Sequence, residues 1–349
     1  MISIQKSDII GKIKPIKAAI ASKMTCNAEG VLVRDNLIIA DNYEYTIAAE
    51  FKCSEKPFVL PKRAIELIES LPEGEIKITA NDKDVHINSR AGNGYFSTVP
   101  AETFHISNPL AVNNPEECDF SAATLCDLLS RVTYACAHDN GVHSGVLIEA
   151  DGENLYLAAM DGYRLAIAHT KQGSAFRAIL PAAAAAKLIS VGIDGNVRIQ
   201  MTKNAICIHT DGYVIATKQL KGNFVDFRAA VPKDHTSILE VDREALSDVI
   251  SRALICNYGT EKAPIVLEYE HGALKAHSIS TVASFNGELD ARLIEGEHEI
   301  KIGLNGKYLM DALRTYAEDK VRLEYNGPIK PLIVKGAVLT TVIMPVKIR

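Results

Sequence analysis

Three stretches change their hydrophobic period in the same way. Each opens as a short run alternating apolar and polar residues, passes a polar residue, and continues with apolar residues at helical spacing. They are MISIQKSDIIGKIKPIKAAI from Met1, CDFSAATLCDLLSRVTYACA from Cys118 and SILEVDREALSDVISRALIC from Ser237. A period of two predicts a strand and a period near 3.6 a helix, with Ser7, Ser121 and Asp242 as the N-caps. In the second stretch Leu125, Leu128, Leu129 and Val132 make the apolar stripe. In the third Leu246, Val249, Ile250 and Leu254 do so. The starts recur roughly every 115 to 125 residues, beyond the period of a solenoid, which predicts repeated domains.

A second echo follows each of these at a similar offset. VLPKRAIELIESLPEGEIKITANDKDVHINS, ILPAAAAAKLISVGIDGNVRIQMTKNAICIHT and IGLNGKYLMDALRTYAEDKVRLEYNGPIKPLIVK all read as strand end, helix, turn, strand, turn, strand. Pro61 and Pro181 stand where proline starts a helix well, and Asn305 can cap the third. Short β runs such as VLVRDNLIIADNYEYTIAAEF fill the space between the two helices of each unit. The chain is therefore expected to be α+β: three similar domains, each with two helices packed on antiparallel sheets. Pro, Asn and acidic residues cluster at 108–119 and 231–237, so the domains are expected at 1–115, 116–234 and 235–349.

One hairpin stands out. Leu155 to Met160 and Leu165 to Ala168 are apolar runs, and Asp161-Gly162-Tyr163-Arg164 joins them. Asp-Gly between two such runs is a strong hairpin signal, because glycine tolerates the positive φ of a tight turn. A plain surface hairpin accounts for the pattern as well. The aromatic and arginine beside apolar residues suit a partner-binding groove.

Composition narrows the picture further. Hydrophobic residues are 47% of the 349, which marks a globular chain rather than a disordered one. No run of eighteen apolar residues is present, so no membrane span is expected. The N-terminus lacks a basic region followed by a long apolar core, and a cytoplasmic location is expected. Seven cysteines, an odd number with no C-x-x-C pair, are expected to be free thiols. Cys136 and His138 beside His143 have no second cluster at zinc spacing, so no metal is expected, and no cofactor.

Catalytic and nucleotide motifs are missing from the sequence. Gly306-Lys307 lacks the upstream glycine of a P-loop, and no G-x-G-x-x-G, G-x-S-x-G or H-E-x-x-H occurs. Ser144 beside His143 is the one nucleophile-like pair, and neighbours in sequence do not make a triad. An enzyme is not expected. The net charge of −5 does not announce a nucleic-acid binder, yet the helices carry Lys12, Lys14, Lys17, Lys62, Arg63, Arg131, Lys187, Arg252, Lys307 and Arg314, with Lys23 beyond the first. These are either ordinary solvated faces or one surface turned to phosphates.

The AxDGYRLA core at 159–166, the closing TTVIMPVKIR, the ESLPEG turn, STVPAETF at 97–104 and KGNFVDFRAAVP at 221–232 together resemble the β sliding clamp family of bacterial DNA polymerase III. The likeness runs in order through essentially the whole chain. It implies a head-to-tail homodimer, a six-domain ring that encircles duplex DNA without reading its sequence, with helices lining the hole and sheets outside. The implied function is a processivity factor. It tethers the replicative DNA polymerase catalytic subunit, the clamp loader, and repair polymerases and mismatch-repair proteins through short linear motifs. An alternative is a diverged paralogue, from a phage or mobile element, working as a partner-binding platform outside the main replisome.

The resemblance also implies roles for residues. A peptide-binding groove would comprise Met160, Gly162, Tyr163, Arg164 and Leu165 from the hairpin and Val225 and Ala230 from FVDFRAA. Ile329, Pro331, Val342, Ile343, Met344, Pro345, Val346 and Ile348 would complete it, with alternate side chains of the last strand serving groove and core. Met160 stands where the family usually has Thr, Val225 where it often has Pro, and Ala229 where a basic residue is common. Lys12, Lys23, Arg131, His143 and Lys187 are the implied DNA contacts. Phe104 and Ile255 match a subunit interface.

Overall fold

A computed structural model describes residues 1–21, 29–53, 55–139, 141–256, 264–279, 283–296 and 299–348. The chain separates into two compact units, Met1–Leu125 with Ala183–Lys221, and Cys126–Ala182 with Gly222–Arg349. Every strand pairing is antiparallel, as short turns between alternating strands require.

The first unit holds two sheets. A four-stranded sheet runs Ile2–Gln5, Glu75–Ala80, Asp84–Ser89, Gly92–Ser97. An eight-stranded sheet runs Phe58–Pro61, Gly30–Arg34, Leu37–Asp41, Tyr45–Glu50, Tyr213–Lys218, Ala205–Thr210, Asn196–Met201, Glu116–Ser121. The second unit is one twelve-stranded sheet. Its order is Ala175–Pro181, Gly145–Asp151, Asn154–Met160, Arg164–Lys171, Leu339–Ile343, Leu332–Lys335, Lys320–Tyr325, Ser237–Asp242, Ser284–Gly296, Ala273–Ile279, Ile265–Glu270, Ile300–Leu304.

These orders repeat a single four-strand pattern. In each third of the chain the opening strand pairs with the strand that follows the second helix, and the next two complete the row. The other four strands of each third are ordered in the same way. The last strand of one row then pairs with the last strand of another: Tyr45–Glu50 with Tyr213–Lys218, and Arg164–Lys171 with Leu339–Ile343. The compact units therefore cut through the middle repeat, because its two rows are hydrogen-bonded to different neighbours.

The strand-to-helix joints also repeat. Lys6–Ile16, Ala122–Val132 and Arg243–Cys256 each follow their strand without a loop. The first helical N–H donates to the carbonyl just before the neighbouring strand: Lys6 to Gly74 at 3.0 Å, Ala122 to Gly195 at 3.0 Å, Arg243 to Asp319 at 2.8 Å. Each bond satisfies one of the orphan donors of a helix start. Asp242 caps the last of these helices, its Oδ1 accepting from Ala245 N at 2.8 Å. Ser121 stands at the second, and Asn305 caps Gly306–Leu313 through Lys307 N at 3.0 Å. Ser7 is not a cap: the first helix begins at Lys6 behind Gln5, whose side chain makes no capping bond. Its first donor is already taken by Gly74.

Leu125, Leu128, Leu129, Val132, Leu246, Val249 and Ile250 are buried as their spacing predicts, and Leu254 is half-buried. Six cysteines among the described residues are free thiols. Burial pushes the Cys136 thiol up to about 12 and the Cys207 thiol up to about 11. No helix among the described residues is long and apolar enough to cross a membrane.

The hairpin of the first repeat carries its own buried polar cluster. Asp41 is buried and accepts from Tyr43 N at 2.9 Å, Ser107 N at 2.8 Å, Ser107 Oγ at 2.7 Å and the Thr46 hydroxyl. Asn108 Nδ2 donates to Ser107 Oγ at 2.9 Å, and the Tyr43 ring stacks on His105 at 6.0 Å. The 105–108 segment thus lies over this hairpin loop. Asp41→Ala strips the acceptor from these donors while they stay buried. We expect it to cost about 3 kcal/mol, the upper range for unsatisfied buried polar groups, in equilibrium urea unfolding. An Ala variant as stable as the parent would deny the cluster any structural role.

Candidate functional site

The 154–171 hairpin forms as its sequence predicts. Strands Asn154–Met160 and Arg164–Lys171 pair in register from Asn154–Lys171 to Met160–Leu165. Asp161 organises the turn: its Oδ1 accepts from Tyr163 N at 2.9 Å and Arg164 N at 3.0 Å, and Gly162 takes φ +87°. Positive φ there is the reason the turn carries glycine.

Register sorts the neighbouring residues onto two faces. Met160 lies opposite Leu165, Leu165 opposite Val342, and Val342 opposite Ile333. That row shares one face of the sheet with Tyr156, four residues along the strand from Met160. Arg164 lies opposite Ile343, and Ile343 opposite Leu332, on the other face. The last strand thus turns Val342 and Ile343 to opposite faces, and both are buried.

Arg164 is 8% exposed, so it supports the loop rather than lining an open surface. Its Nε lies 3.0 Å from Asp161 Oδ2 and its Nη1 2.7 Å from Asp311 Oδ2. The guanidinium carbon sits 4.5 Å from the Tyr308 ring centre and 5.2 Å from that of Tyr134. A buried cation needs such pairing, and flat guanidinium faces suit aromatic rings. Burial pushes Tyr134 up to about 12, so its hydroxyl stays protonated, 3.1 Å from Thr341 Oγ1. Tyr134, Tyr308 and Asp311 were not anticipated from the sequence. Tyr308 and Asp311 stand three apart in Gly306–Leu313, hence on one helix face, and that spacing is the signal they offered.

Tyr163 is 63% exposed at the loop tip and stacks on Tyr308 at 6.3 Å. Its carbonyl accepts from Met344 N at 2.9 Å, which joins the hairpin to the C-terminal tail. Met344 is exposed; Pro345, Val346 and Ile348 are half-buried. Pro345 bridges Leu304, and Val346 N donates to Gly303 O at 2.8 Å. A Cβ on Gly303 would meet Val346 O at 2.6 Å and Ile348 Cγ1 at 2.8 Å, so the tail seats against a bare glycine. Pro331 directly precedes the Leu332 that faces Ile343, and Ile329 nearby is 82% exposed. Tyr163, Val225, Ile329 and Met344 are all large apolar side chains left exposed in this unit. A peptide burying one Leu or Phe against such residues gains about 2 kcal/mol.

Val225 and Ala230 are both exposed; Val225 precedes the capped short helix Phe227–Ala230 and Ala230 is its last residue. Asp226 caps it, accepting from Arg228 N at 3.1 Å and Ala229 N at 3.3 Å. Phe227 is buried and packs on Tyr156 at 5.7 Å, on the hairpin face that also carries Met160. Phe224 meets the His143 ring edge-on at 5.1 Å.

The residues expected to touch DNA separate by environment. Lys12 is half-exposed and makes no ion pair among the described residues. Lys17 is held by Glu69 at 2.7 Å. Arg131 is locked in place, Nε to Asp127 Oδ2 at 2.8 Å and Nη1 to Thr315 O at 3.1 Å. Lys187 is buried in Ala182–Val191, and burial holds its pKa below the usual lysine range. His143 turns inward, its Nδ1 buried without a hydrogen-bond partner among the described residues. Ser144 Oγ donates to Gly141 O at 2.7 Å, so the two do not form a nucleophile–base pair. Lys23 lies outside the described residues. Phe104, expected at a subunit interface, is buried within this chain against Leu32, Ile39, Ala48, Val59 and Ala101; the turn Ala101–Thr103 aims it into that core. Ile255, at the end of Arg243–Cys256, is 74% exposed.

Two substitutions test this construction. Arg164→Ala leaves Asp161 and Asp311 without their cation and should cost about 3 kcal/mol in urea unfolding, as for other broken buried pairs. Gly303→Ala should unseat the tail: limited proteolysis is expected to clip the C-terminal residues of the variant faster than those of the parent. Equal clipping rates would show that the tail does not depend on this glycine.

Comparison with known proteins follows the same lines. Residues 120–226 match the family model of the DNA polymerase III beta subunit, central domain, and residues 228–347 that of its C-terminal domain. The beta sliding clamp of Escherichia coli (strain K12) is 26% identical over 301 residues, covering 82% of this chain and 80% of its own. The crystal structure of a putative DNA polymerase III beta subunit from Eubacterium rectale superposes with a TM-score of 0.90 at 20% identity, covering 99% of this chain and 98% of that one. A Pseudomonas aeruginosa sliding clamp bound to griselimycin gives 0.89 at 21%, covering 99% of each. With both domain models matched in order over well more than half of its length, the chain belongs to the DNA polymerase III beta subunit family, the bacterial sliding clamps.

Proposed function

We propose that the chain is a DNA sliding clamp that closes around duplex DNA as a homodimer and tethers its partners at the 160–165 hairpin. The observation that carries this reading is the recurrent pairing of last strand with last strand. It is satisfied twice within the chain, at Tyr45–Glu50 with Tyr213–Lys218 and at Arg164–Lys171 with Leu339–Ile343. It leaves two rows open. Gly92–Ser97 ends its sheet, and the 284–290 half of Ser284–Gly296 has only Ala273–Ile279 beside it. By the same rule, these two edges pair between copies, head to tail. Two copies then satisfy both edges and close a ring. Exposed Ile255 belongs to this seam in our reading, and buried Phe104 does not.

Three clamp domains, 1–115, 116–234 and 235–349, are the natural division of such a ring. Its helices face the hole. Lys12, Lys14 and Arg63, which make no ion pair among the described residues, are the cations we assign to phosphates, with Lys23 as a further candidate. Contacts of this kind carry no sequence information, so the ring slides. An overall acidic chain is compatible with that role because only the inner wall has to be basic. The partners are the replicative polymerase catalytic subunit, the clamp loader, and repair polymerases and mismatch-repair proteins, each bringing a short linear motif with apolar anchors. The role is tethering rather than chemistry, in the nucleoid-containing cytoplasm.

The native mass should be about twice the chain mass, and the protein, once loaded, should stay on nicked circular DNA and leave when the circle is cut. Primer extension on primed circular DNA with its polymerase and loader should give longer products per binding event. A stable monomer at micromolar concentration, or unchanged product length, would overturn the proposal. Deleting residues 344–349 should abolish peptide binding while the dimer persists; surviving peptide affinity would remove the tail from the groove.

A further inference from the structure

We infer that Arg228 is a positioning residue of the docking groove: it clamps the wall that carries Val225 and Ala230 onto the 145–160 strands. The inference rests on the groove reading above. From Gly222 to His235 no strand ladder holds the backbone; the elements there are the helix Phe227–Ala230 and its cap. The position of this wall therefore depends on side-chain anchors. Phe224 against His143 is one and buried Phe227 on Tyr156 is another, and both are ring contacts without a directional bond.

Arg228 supplies what those contacts lack, a fixed direction. Its Nη1 donates to Glu149 Oε1 at 2.5 Å on strand Gly145–Asp151, and its Nη2 lies 3.5 Å from Asp151 Oδ2. Its guanidinium carbon sits 4.4 Å from the centre of the Tyr156 ring and 4.5 Å from that of Phe227. Glu149 is itself held from the far side by Arg177 Nε at 3.2 Å. One planar cation thus spans two strands and the short helix, bonded in its plane and stacked across it. Such a fork fixes orientation as well as distance, which a lysine ammonium does not. Three residues before it Val225 projects, and two after it Ala230, so a tilt of the helix moves both together.

The test is a double-mutant cycle on the full chain. The probe is a fluorescein-labelled nonapeptide bearing a Leu-Phe pair, read by anisotropy. Arg228→Ala should weaken binding about tenfold, the equivalent of about 1.4 kcal/mol, with native mass and cooperative unfolding retained. Arg228→Lys should fall between the two, and it serves alone if the Ala variant does not fold. The diagnostic readout is coupling. Adding Val225→Ala to Arg228→Ala should cost little more, because the misplaced wall no longer delivers that side chain. Adding Met344→Ala should multiply the loss, because the tail wall is seated independently on Gly303. Equal multiplication with both would mean general loosening and would overturn the assignment, as would an Arg228→Ala variant that binds within twofold of the parent. If Val225→Ala, Met344→Ala and Tyr163→Ala all bind the peptide as the parent does, the groove itself is misassigned.

Discussion

An edge strand exposes a row of unpaired N–H and C=O groups, and meeting that demand organises this molecule. Each repeat builds two short rows of strands, and each row ends in an edge. The chain resolves them by joining row to row, so Tyr213–Lys218 completes the sheet of Tyr45–Glu50 and Leu339–Ile343 that of Arg164–Lys171. The eight-stranded sheet is one outcome; the twelve-stranded sheet is the other, extended by the pairing of Ser237–Asp242 with the end of Ser284–Gly296. The compact units consequently follow the hydrogen bonds rather than the repeats.

The docking site we propose sits at one of these joins. Because Arg164 pairs with Ile343, the hairpin loop and the start of the C-terminal tail meet through backbone, and Met344 N to Tyr163 O prolongs the ladder by one bond. What the backbone does not specify is the tilt of the loop. Arg164 sets that, held between Asp161 and Asp311 and bracketed by two tyrosines. The exposed Tyr163 is displayed by a neighbour that is itself out of reach.

Much of this was legible in the sequence, for local reasons. Period changes located the three opening strands and their helices, and Asp-Gly located the hairpin, because both depend on residues adjacent in the chain. Asp242 and Asn305 were readable as caps for the same reason. Ser7 misled because the first helix starts one residue earlier, at Lys6, which puts Gln5 at the cap position and Ser7 inside the first turn. The burial of Lys187 and Phe104 was hidden for a similar reason. A lysine on a helix and an aromatic after a turn look the same in sequence whether they face solvent or core. Tyr134, Asp311 and Gly303 escaped notice because each matters through a residue that sequence distance hides.

Asp41 and Asp161 hold their hairpin loops alike, each accepting from the N–H two residues on. They differ in what satisfies the rest of the carboxylate. Asp161 takes an arginine, leaving its loop tip open. Asp41 takes Ser107 from the chain's own passing segment, with His105 stacked on Tyr43. The first hairpin loop is thus covered by the chain's own segment, whereas the second keeps its tip exposed. On the docking reading proposed above, a segment lying over a hairpin loop is what turns one of two alike loops into plain structure and leaves the other free for a partner.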